Sequence, residues 1–157
     1  MQARLSSNVD FSDVAHVMEH ITHEDCKEVM AVRMGRYNAI ETASHLYDAS
    51  GFLCKMEAGG VPCAVGGAVS VWPGYGSMWM FTTPVFQNVL SLSVLKGVKK
   101  VMLNAFRSRN IHRAEARCME SHKLSSRWIE FMGGKLDCRL PQFGIHKEDF
   151  LQYSWIM

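Results

Sequence analysis

The segment 111–134 constrains the fold of this chain more than any other part of the sequence. Over 111–118, small or apolar residues alternate with charged ones, which is the period-2 pattern of a half-buried strand. After a turn over 119–121, apolar residues recur at helical spacing, and Gly133-Gly134 ends that helix as a left-handed C-terminal cap does. A strand over 135–140 follows. The predicted buried face of the helix consists of Leu124, Trp128, Ile129 and Met132.

The remaining segments are predicted from the same two periodicities. Apolar spacing predicts three helices over 11–21, 22–34 and 38–49, with Ser12 as a candidate cap of the first and Thr22 as the cap of the second. Ala58-Gly59-Gly60 separates two apolar runs, over 52–57 and 61–71, and predicts a hairpin. A third strand over 77–82, one long helix over 85–107 and a last strand over 150–156 complete the order.

This order of elements defines the fold class. Strand, long helix and strand in succession require a parallel crossover, and such crossovers are right-handed. The class is therefore α+β, with a mixed, mostly antiparallel sheet of about six strands and helices on both faces. No linker or internal repeat interrupts the chain, so a single domain over 1–157 is predicted.

Composition limits the classes of function. Residues 1–95 hold 5 Lys/Arg and 9 Asp/Glu, a net charge of −4, whereas residues 96–157 hold 12 and 6, a net charge of +6. Such asymmetry can mark an anionic partner, but acids are interspersed among the cations, which favours a solvated basic face over a nucleic-acid site. No apolar run reaches the roughly 18 residues of a membrane span. The first ten residues carry no secretory signal, so secretion is not expected.

No metal site is expected either. The five cysteines lie at wide spacings without a C-x-x-C pair, which is typical of reduced thiols in a cytosolic protein. His16, Glu19 and His20 match the H-x-x-E-H pattern of inverted zinc peptidases. That helix is short and no further ligand follows, so chance occurrence is favoured. Cys118, four residues before His122, is interpreted as a buried thiol rather than a nucleophile.

The C-terminal half resembles the GCN5-related N-acetyltransferase (GNAT) superfamily. The residues 113–117, followed by Ser125, Arg127 and 131–136, are similar to the family's strand, Asn-x-x-Ser, helix and hydrophobic-Gly-Phe signature. The end of the chain, with 140–144 and then Glu148-Asp149-Phe150, is similar to the ending of ribosomal-protein-alanine acetyltransferases.

Three further segments resemble a phage-encoded branch of this superfamily. They are 22–29, the turn into a strand over 62–67, and 79–83. The branch includes GNAT-like internal virion proteins of short-tailed phages. This resemblance implies a protein of the host cytoplasm that is packaged in a virion, with other virion proteins as partners.

The sequence departs from the pattern of acetyl-CoA-using members at four places. Their glycine-rich loop exposes backbone amides to a diphosphate, whereas the matching stretch 83–91 has no glycine and contains the bulky Val85 and Phe86. His122 stands at the family's Asn position, and Ile129 stands where many members have a tyrosine acid. The strand residues 64–71 offer no carboxylate to act as a base.

The resemblance nevertheless assigns candidate site residues. Ser125 matches a serine that is a candidate acid for the departing thiolate, and His122 is a candidate base. For both residues a structural role in the first turn of a helix is the favoured alternative. The backbone of 80–82 would hold the pantetheine, and the helix start over 87–91 would hold a phosphate. The candidate acetyl-CoA-binding residues are Met80, Phe81, Thr82, Gln87, Asn88 and Ser91.

Two functions from different classes follow. The first is a GNAT-fold phage protein with a degenerate acyl-CoA site, which serves as a virion, assembly or interaction component. The second is an active N-acetyltransferase that moves an acetyl group from acetyl-CoA to an amine of a protein or small molecule. Because the glycine loop, the tyrosine and the base are missing, the sequence favours the first.

Overall fold

The computed structural model describes residues 3–33 and 35–157. These residues form one mixed sheet with helices on both faces. The described elements are, in chain order, β1 (Ala3–Ser6), α1 (Phe11–Glu19), α2 (His23–Val32), α3 (Ala39–Ala49), β2 (Ser50–Ala58), β3 (Val61–Trp72), β4 (Tyr75–Thr82), α4 (Phe86–Val89), α5 (Leu92–Ser108), β5 (Arg113–Met119), α6 (Lys123–Phe131), β6 (Lys135–Leu140) and β7 (Phe150–Ile156).

The sheet has the order β1-β2-β3-β4-β5-β7-β6 and one parallel pair. β4 and β5 are that pair, and their pairing covers three residues of each strand, Tyr75 with Arg113 through Ser77 with Glu115. All other neighbours are antiparallel. The predicted α+β class and mostly antiparallel sheet are confirmed. The sheet has seven strands rather than about six, because the four-residue β1 has too few residues to show an alternating pattern.

The two sides of the sheet bury separate clusters. β4 alternates, so that Trp79 and Phe81 pack toward α1 and α3, whereas Met78 and Met80 pack toward α5 and α6. On β5, the small residues Ala114, Ala116 and Cys118 form part of the core with α5 and α6. The charged residues between them therefore point toward the α1–α3 side, as the alternation in 111–118 predicts.

Side-chain caps define where the N-terminal helices begin. Asp10, rather than Ser12, caps α1, since its carboxylate accepts from the Asp13 amide at 3.2 Å while Asp13 accepts from the Asp10 amide at 2.9 Å. This reciprocal capping box satisfies donors that Ser12, two residues later, cannot reach in the same way. Thr22 caps α2 as predicted, by accepting from the Asp25 amide at 3.2 Å.

The predicted long helix over 85–107 is wrong in its first turn. The chain forms the single turn α4, becomes extended at Leu90, and starts again at α5 with Ser91 as the cap. The break lets Phe86 and Val89 turn inward to the cluster with β2 and β3. Ser91 Oγ accepts from the Val94 amide at 3.3 Å and so supplies the new N-terminus.

The predicted face of the helix after β5 needs one correction. Ile129 and Met132 are buried, and Trp128 is partly buried, but Leu124 is 53% exposed. Leu124 lies in the first turn of α6, on its exposed side. None of the helices in the described ranges is long and apolar enough to cross a membrane.

Two truncations on α5 test which face of this helix is buried. Phe106 is 0% exposed and packs edge-on against Trp155, with ring centroids 6.2 Å apart. Phe106→Ala is expected to lower the free energy of unfolding by about 3–5 kcal/mol, because it removes buried apolar surface and leaves a cavity. Leu92→Ala, at a side chain that is 58% exposed, should change it by less than about 0.5 kcal/mol. Urea unfolding followed by circular dichroism measures both, and equal effects would contradict the assigned core.

Candidate functional site

A gap opens between β4 and β5 where their short parallel pairing ends. The Thr82 backbone faces this gap, since its amide donates to Asp25 at 3.0 Å and its carbonyl accepts from the Thr22 amide at 2.9 Å. Strand residues two apart present their backbone groups to the same side. The amide and carbonyl of Met80 therefore also face the gap, where β5 no longer pairs with β4.

A cavity of about 350 Å³ passes through this gap and reaches both sides of the sheet. On the α5–α6 side its walls are mostly apolar, with Met80, Val98 and Trp128 among them. On the α1–α3 side it is lined by charged and aromatic residues. Those are Glu28, Arg33, Tyr75, Trp79, Phe81, Glu115, Arg117 and Phe143.

Glu28 from α2 is the carboxylate best placed in this cavity. Its Oε2 accepts from the Met119 amide at 2.8 Å and lies 3.2 Å from Nδ1 of His122. Its Oε1 makes no hydrogen bond to the residues that the structure describes, and the side chain lines the cavity. One oxygen is thus fixed to the end of β5, and the other is available to a ligand.

His122 lies between two carboxylates rather than in the cavity wall. It is 8% exposed. Nε2 lies 3.7 Å from Asp25, and Nδ1 contacts Glu28. The hydrogen bond with Glu28 raises the pKa of His122, with further help from the negative charges of Asp25 and Glu24. Burial raises the pKa of Asp25, against the hydrogen bonds that Asp25 accepts from Thr82. His122 is thereby suited to hold α2 against the end of β5 and to orient Glu28.

A second carboxylate in the cavity, Glu115 on β5, is fully engaged. It accepts from the Tyr75 hydroxyl at 2.7 Å and from Arg113 Nε at 2.6 Å. Burial acts to raise the pKa of Glu115, but the hydrogen bonds from Tyr75 and Arg113 outweigh it and lower the pKa. Because it is held charged and doubly bonded, Glu115 is poorly suited to take up a proton.

Ser125 lines the cavity from the first turn of α6, on the opposite side of the sheet from Glu28. Trp128 and Ile129 of the same helix also line it. The neighbouring thiol of Cys118 is fully buried, and burial raises its pKa to about 11. A thiol with that pKa is protonated at neutral pH, so it is not an activated nucleophile.

The structure separates the six predicted cofactor residues into two groups. Met80 and Phe81 line the cavity, and Thr82 lies at its rim with its amide already bonded to Asp25. The exposed side chains of Gln87, Asn88 and Ser91 lie outside the cavity lining, on either side of the helix interruption at Leu90. Their part as a phosphate site stays a prediction.

The residues present fit the thioester arm of acetyl-CoA better than its diphosphate. The gap offers a strand backbone at Met80 and apolar walls, which suit a pantetheine chain. The sequence predicts that the bulky Phe86 covers the backbone amides that a diphosphate would need. In the structure Phe86 is instead buried against Trp128, with ring centroids 5.6 Å apart, and leaves those amides uncovered. Val85 remains on the surface there. Free amides occur in the first turn of α5, next to Ser91.

Sequence reasoning missed the carboxylates of the site. It looked for a base on the strand 64–71, whereas Glu28 comes from α2 and Glu115 from β5. Glu28 lies just after the acidic first turn of α2, which consists of Glu24 and Asp25. Its position on the same helical face as Asp25, three residues earlier, was the available signal. Within the described ranges, no three His, Cys, Asp or Glu side chains are grouped to hold a metal ion.

Solved structures with a similar fold include proteins described as acetyltransferases or putative acetyltransferases. The protein yncA of Salmonella typhimurium, solved with its cofactor acetyl-CoA, matches with a TM-score of 0.74 at 11% identity, over 99% of this chain and 94% of that one. An N-acetyltransferase of Staphylococcus aureus matches with 0.76 at 11%, over 99% of both chains. A GNAT-family acetyltransferase of Bacillus anthracis matches with 0.72 at 13%, over 99% and 95%. No family model matches the chain, and no curated protein matches it.

These comparisons confirm the GNAT fold. The phage-encoded branch stays a prediction. The GNAT resemblance given by the residues of the C-terminal half therefore correctly identified the architecture.

The charge of His122 should be visible in the pH dependence of stability. Because the folded pKa of His122 lies above its ordinary value of 6.5, its stabilising contribution is complete below that value. It is lost as pH rises through the folded pKa. His122→Gln should remove this loss, so the difference in unfolding free energy between wild type and variant should shrink with rising pH. Urea denaturation at a series of pH values measures it, with His45→Gln on the exposed face of α3 as control. A pH-independent difference would contradict the assigned ion pairs.

Proposed function

We propose that this chain is an N-acyltransferase that moves an acyl group from acetyl-CoA to an amine. The observation that carries the proposal is the cavity through the β4–β5 gap, which Glu28 lines from one side of the sheet and Ser125 from the other. Amide formation from a thioester needs a group that takes a proton from the amine and a group that gives one to the thiolate. The cavity offers one candidate for each.

The donor would enter from the α5–α6 side. Bound acetyl-CoA would supply a thioester, whose carbonyl carbon accepts the amine and whose thiolate leaves. The Met80 backbone faces the gap, and Val98 and Trp128 give that side of the cavity its apolar character. These groups would hold an extended chain by hydrogen bonding and apolar contact. The same fold in yncA, solved with acetyl-CoA, supports this choice of donor.

Glu28 would act as the base. An amine is protonated in water at neutral pH and cannot attack a carbonyl until it loses a proton. Glu28 Oε1 is open to the cavity, while the Met119 amide and His122 fix Oε2. Oε2 therefore holds the carboxylate in place, and Oε1 remains available to accept the proton of the amine. His122, predicted as a candidate base, would be a positioning residue that acts through Glu28.

Ser125 would act at the leaving group. Its hydroxyl lies in the first turn of α6, where the helix dipole favours negative charge. As the carbon–sulfur bond breaks, this hydroxyl would donate to the thiolate and recover a proton from solvent. The resemblance to the ribosomal-alanine branch implies the same role, so two independent considerations select Ser125 over the isoleucine at position 129.

A second candidate function keeps specific support. In a phage virion or assembly component with a degenerate site, the fold would serve only to bind partner proteins. The Thr82 amide is bonded to Asp25 at 3.0 Å and is therefore not available to a cofactor. Val85 lies in the stretch where acetyl-CoA-using members have their glycine-rich loop. These two features favour the degenerate alternative, and cofactor binding decides between the two functions.

Calorimetric titration with acetyl-CoA is the deciding measurement for the donor. We expect a dissociation constant in the micromolar range. Ser91→Asp keeps the helix cap but adds a negative charge beside the free amides of α5, and it should weaken binding by about tenfold or more. Ser91→Asn keeps the cap without the charge and should bind as wild type does. Absence of heat at millimolar acetyl-CoA would support the degenerate site, and equal binding by both variants would place the diphosphate elsewhere.

Two further variants test the assigned chemistry. Glu28→Gln keeps an oxygen for the Met119 amide but cannot take a proton, so the acetylation rate constant should fall by about a hundredfold. Ser125→Ala should lower kcat by about tenfold or more with little change in KM, since it acts on the leaving group. Thiol release from acetyl-CoA in the presence of an amine panel gives both values. Glu41→Gln, on the exposed start of α3, is the matched control. Unchanged rates in Glu28→Gln would remove it from the mechanism.

A further inference from the structure

We infer that the acceptor is a small amino carboxylate, with its ammonium held by Glu28 and its carboxylate held between Arg33 and Arg117. The inference rests on the proposed function and names its substrate class. The cavity is open to both sides of the sheet, and the α5–α6 side is assigned to the donor. The acceptor must then be recognised by the residues on the α1–α3 side, where the charged groups converge.

Arg33 supplies a positive charge that has no ion-pair partner among the described residues. It follows directly after α2 and lines the cavity. Among the residues that the structure describes, no carboxylate lies within ion-pair distance of its guanidinium. A cation that lines a partly enclosed cavity without a counter-charge is suited to an anionic ligand.

Arg117 supplies a second cation that is held in place but not neutralised at close range. Its Nε donates to Gln152 at 2.9 Å, and its guanidinium lies 5.5 Å from the ring centre of Phe143. The nearest carboxylate, Glu115, is 4.0 Å away and already accepts from Arg113 at 2.6 Å. The remaining N–H groups of Arg117 are free to donate to a planar carboxylate, a geometry that arginine matches well.

The loop between β6 and β7 brings the two arginines to one wall. Its Ile145 amide donates to the Ala31 carbonyl of α2 at 2.8 Å. Its Phe143 ring packs on Arg117 of β5. This loop thus ties the end of α2, where Arg33 lies, to the strand that carries Arg117. Arg33, Arg117 and Phe143 all line the same cavity.

The volume of the cavity favours a compact acceptor. At about 350 Å³, it must hold both the thioester end of the donor and the acceptor. An amine without an acid group would leave the Arg33 guanidinium in this cavity without a counter-charge.

Acceptor discrimination tests the inference. Initial rates of acetyl transfer are measured for a panel of amino acids and for the same amino acids as their carboxamides, which keep the amine and lose the charge. Wild type should prefer the acids by about a hundredfold in kcat/KM, the value of a lost charge-assisted hydrogen bond pair. Arg33→Met and Arg117→Met should each lose most of this preference through a higher KM for acids, with a much smaller effect on the carboxamides, which lack the charge.

Two control variants make the outcome unambiguous. Arg33→Lys keeps the charge and should keep part of the preference, which distinguishes recognition from damage to the fold. Arg36→Met, at an exposed residue outside the cavity lining, should behave as wild type does. If carboxamides are acetylated as well as acids, or if both arginine variants keep the wild-type ratio, the inference is overturned while the transferase stands. If neither form of any amine is acetylated, the proposed function itself fails and the inference fails with it.

Discussion

The early end of the β4–β5 pairing is the constraint on which the rest of the site depends. Three residues of each strand pair in parallel, and the remainder of both strands diverges within one continuous sheet. The backbone N–H and C=O groups of a buried strand edge need hydrogen-bond partners, either from the protein or from a ligand or water in an adjoining cavity. Here the edge of β4 is satisfied at Thr82 by the start of α2 and is left open at Met80. The cavity through the sheet is a direct consequence of that difference.

The helix α2 closes one end of this gap and defines its electrostatics. Thr22 caps the helix and also bonds β4, while Asp25 and Glu28 reach β4, β5 and His122. A single short helix therefore joins two strands that do not pair with each other at this level. Glu28 belongs both to this junction and to the cavity lining, so structure and chemistry share a residue here.

Much of the fold follows from periodicity in the sequence, and the failures have identifiable causes. The strands Lys135–Leu140 and Phe150–Ile156 have the predicted bounds, and the alternation in 111–118 correctly separates buried from outward-facing residues. The helix over 85–107 was predicted too long because apolar spacing continues through Leu90, although Ser91 can cap a new helix there. Of the candidate site, Ser125 lies in the cavity wall, whereas His122 lies behind Glu28.

The sequence by itself determined most of the order of elements, most of their buried faces and the cap that starts α2. These depend on residues a few positions apart, whose interactions are local. Only the tertiary structure decided that Glu28, Arg33, Arg117 and Ser125 surround one cavity. Those residues come from separate elements, and their convergence depends on where two strands stop pairing. That point is a balance of packing on both sides of the sheet, which no local pattern encodes.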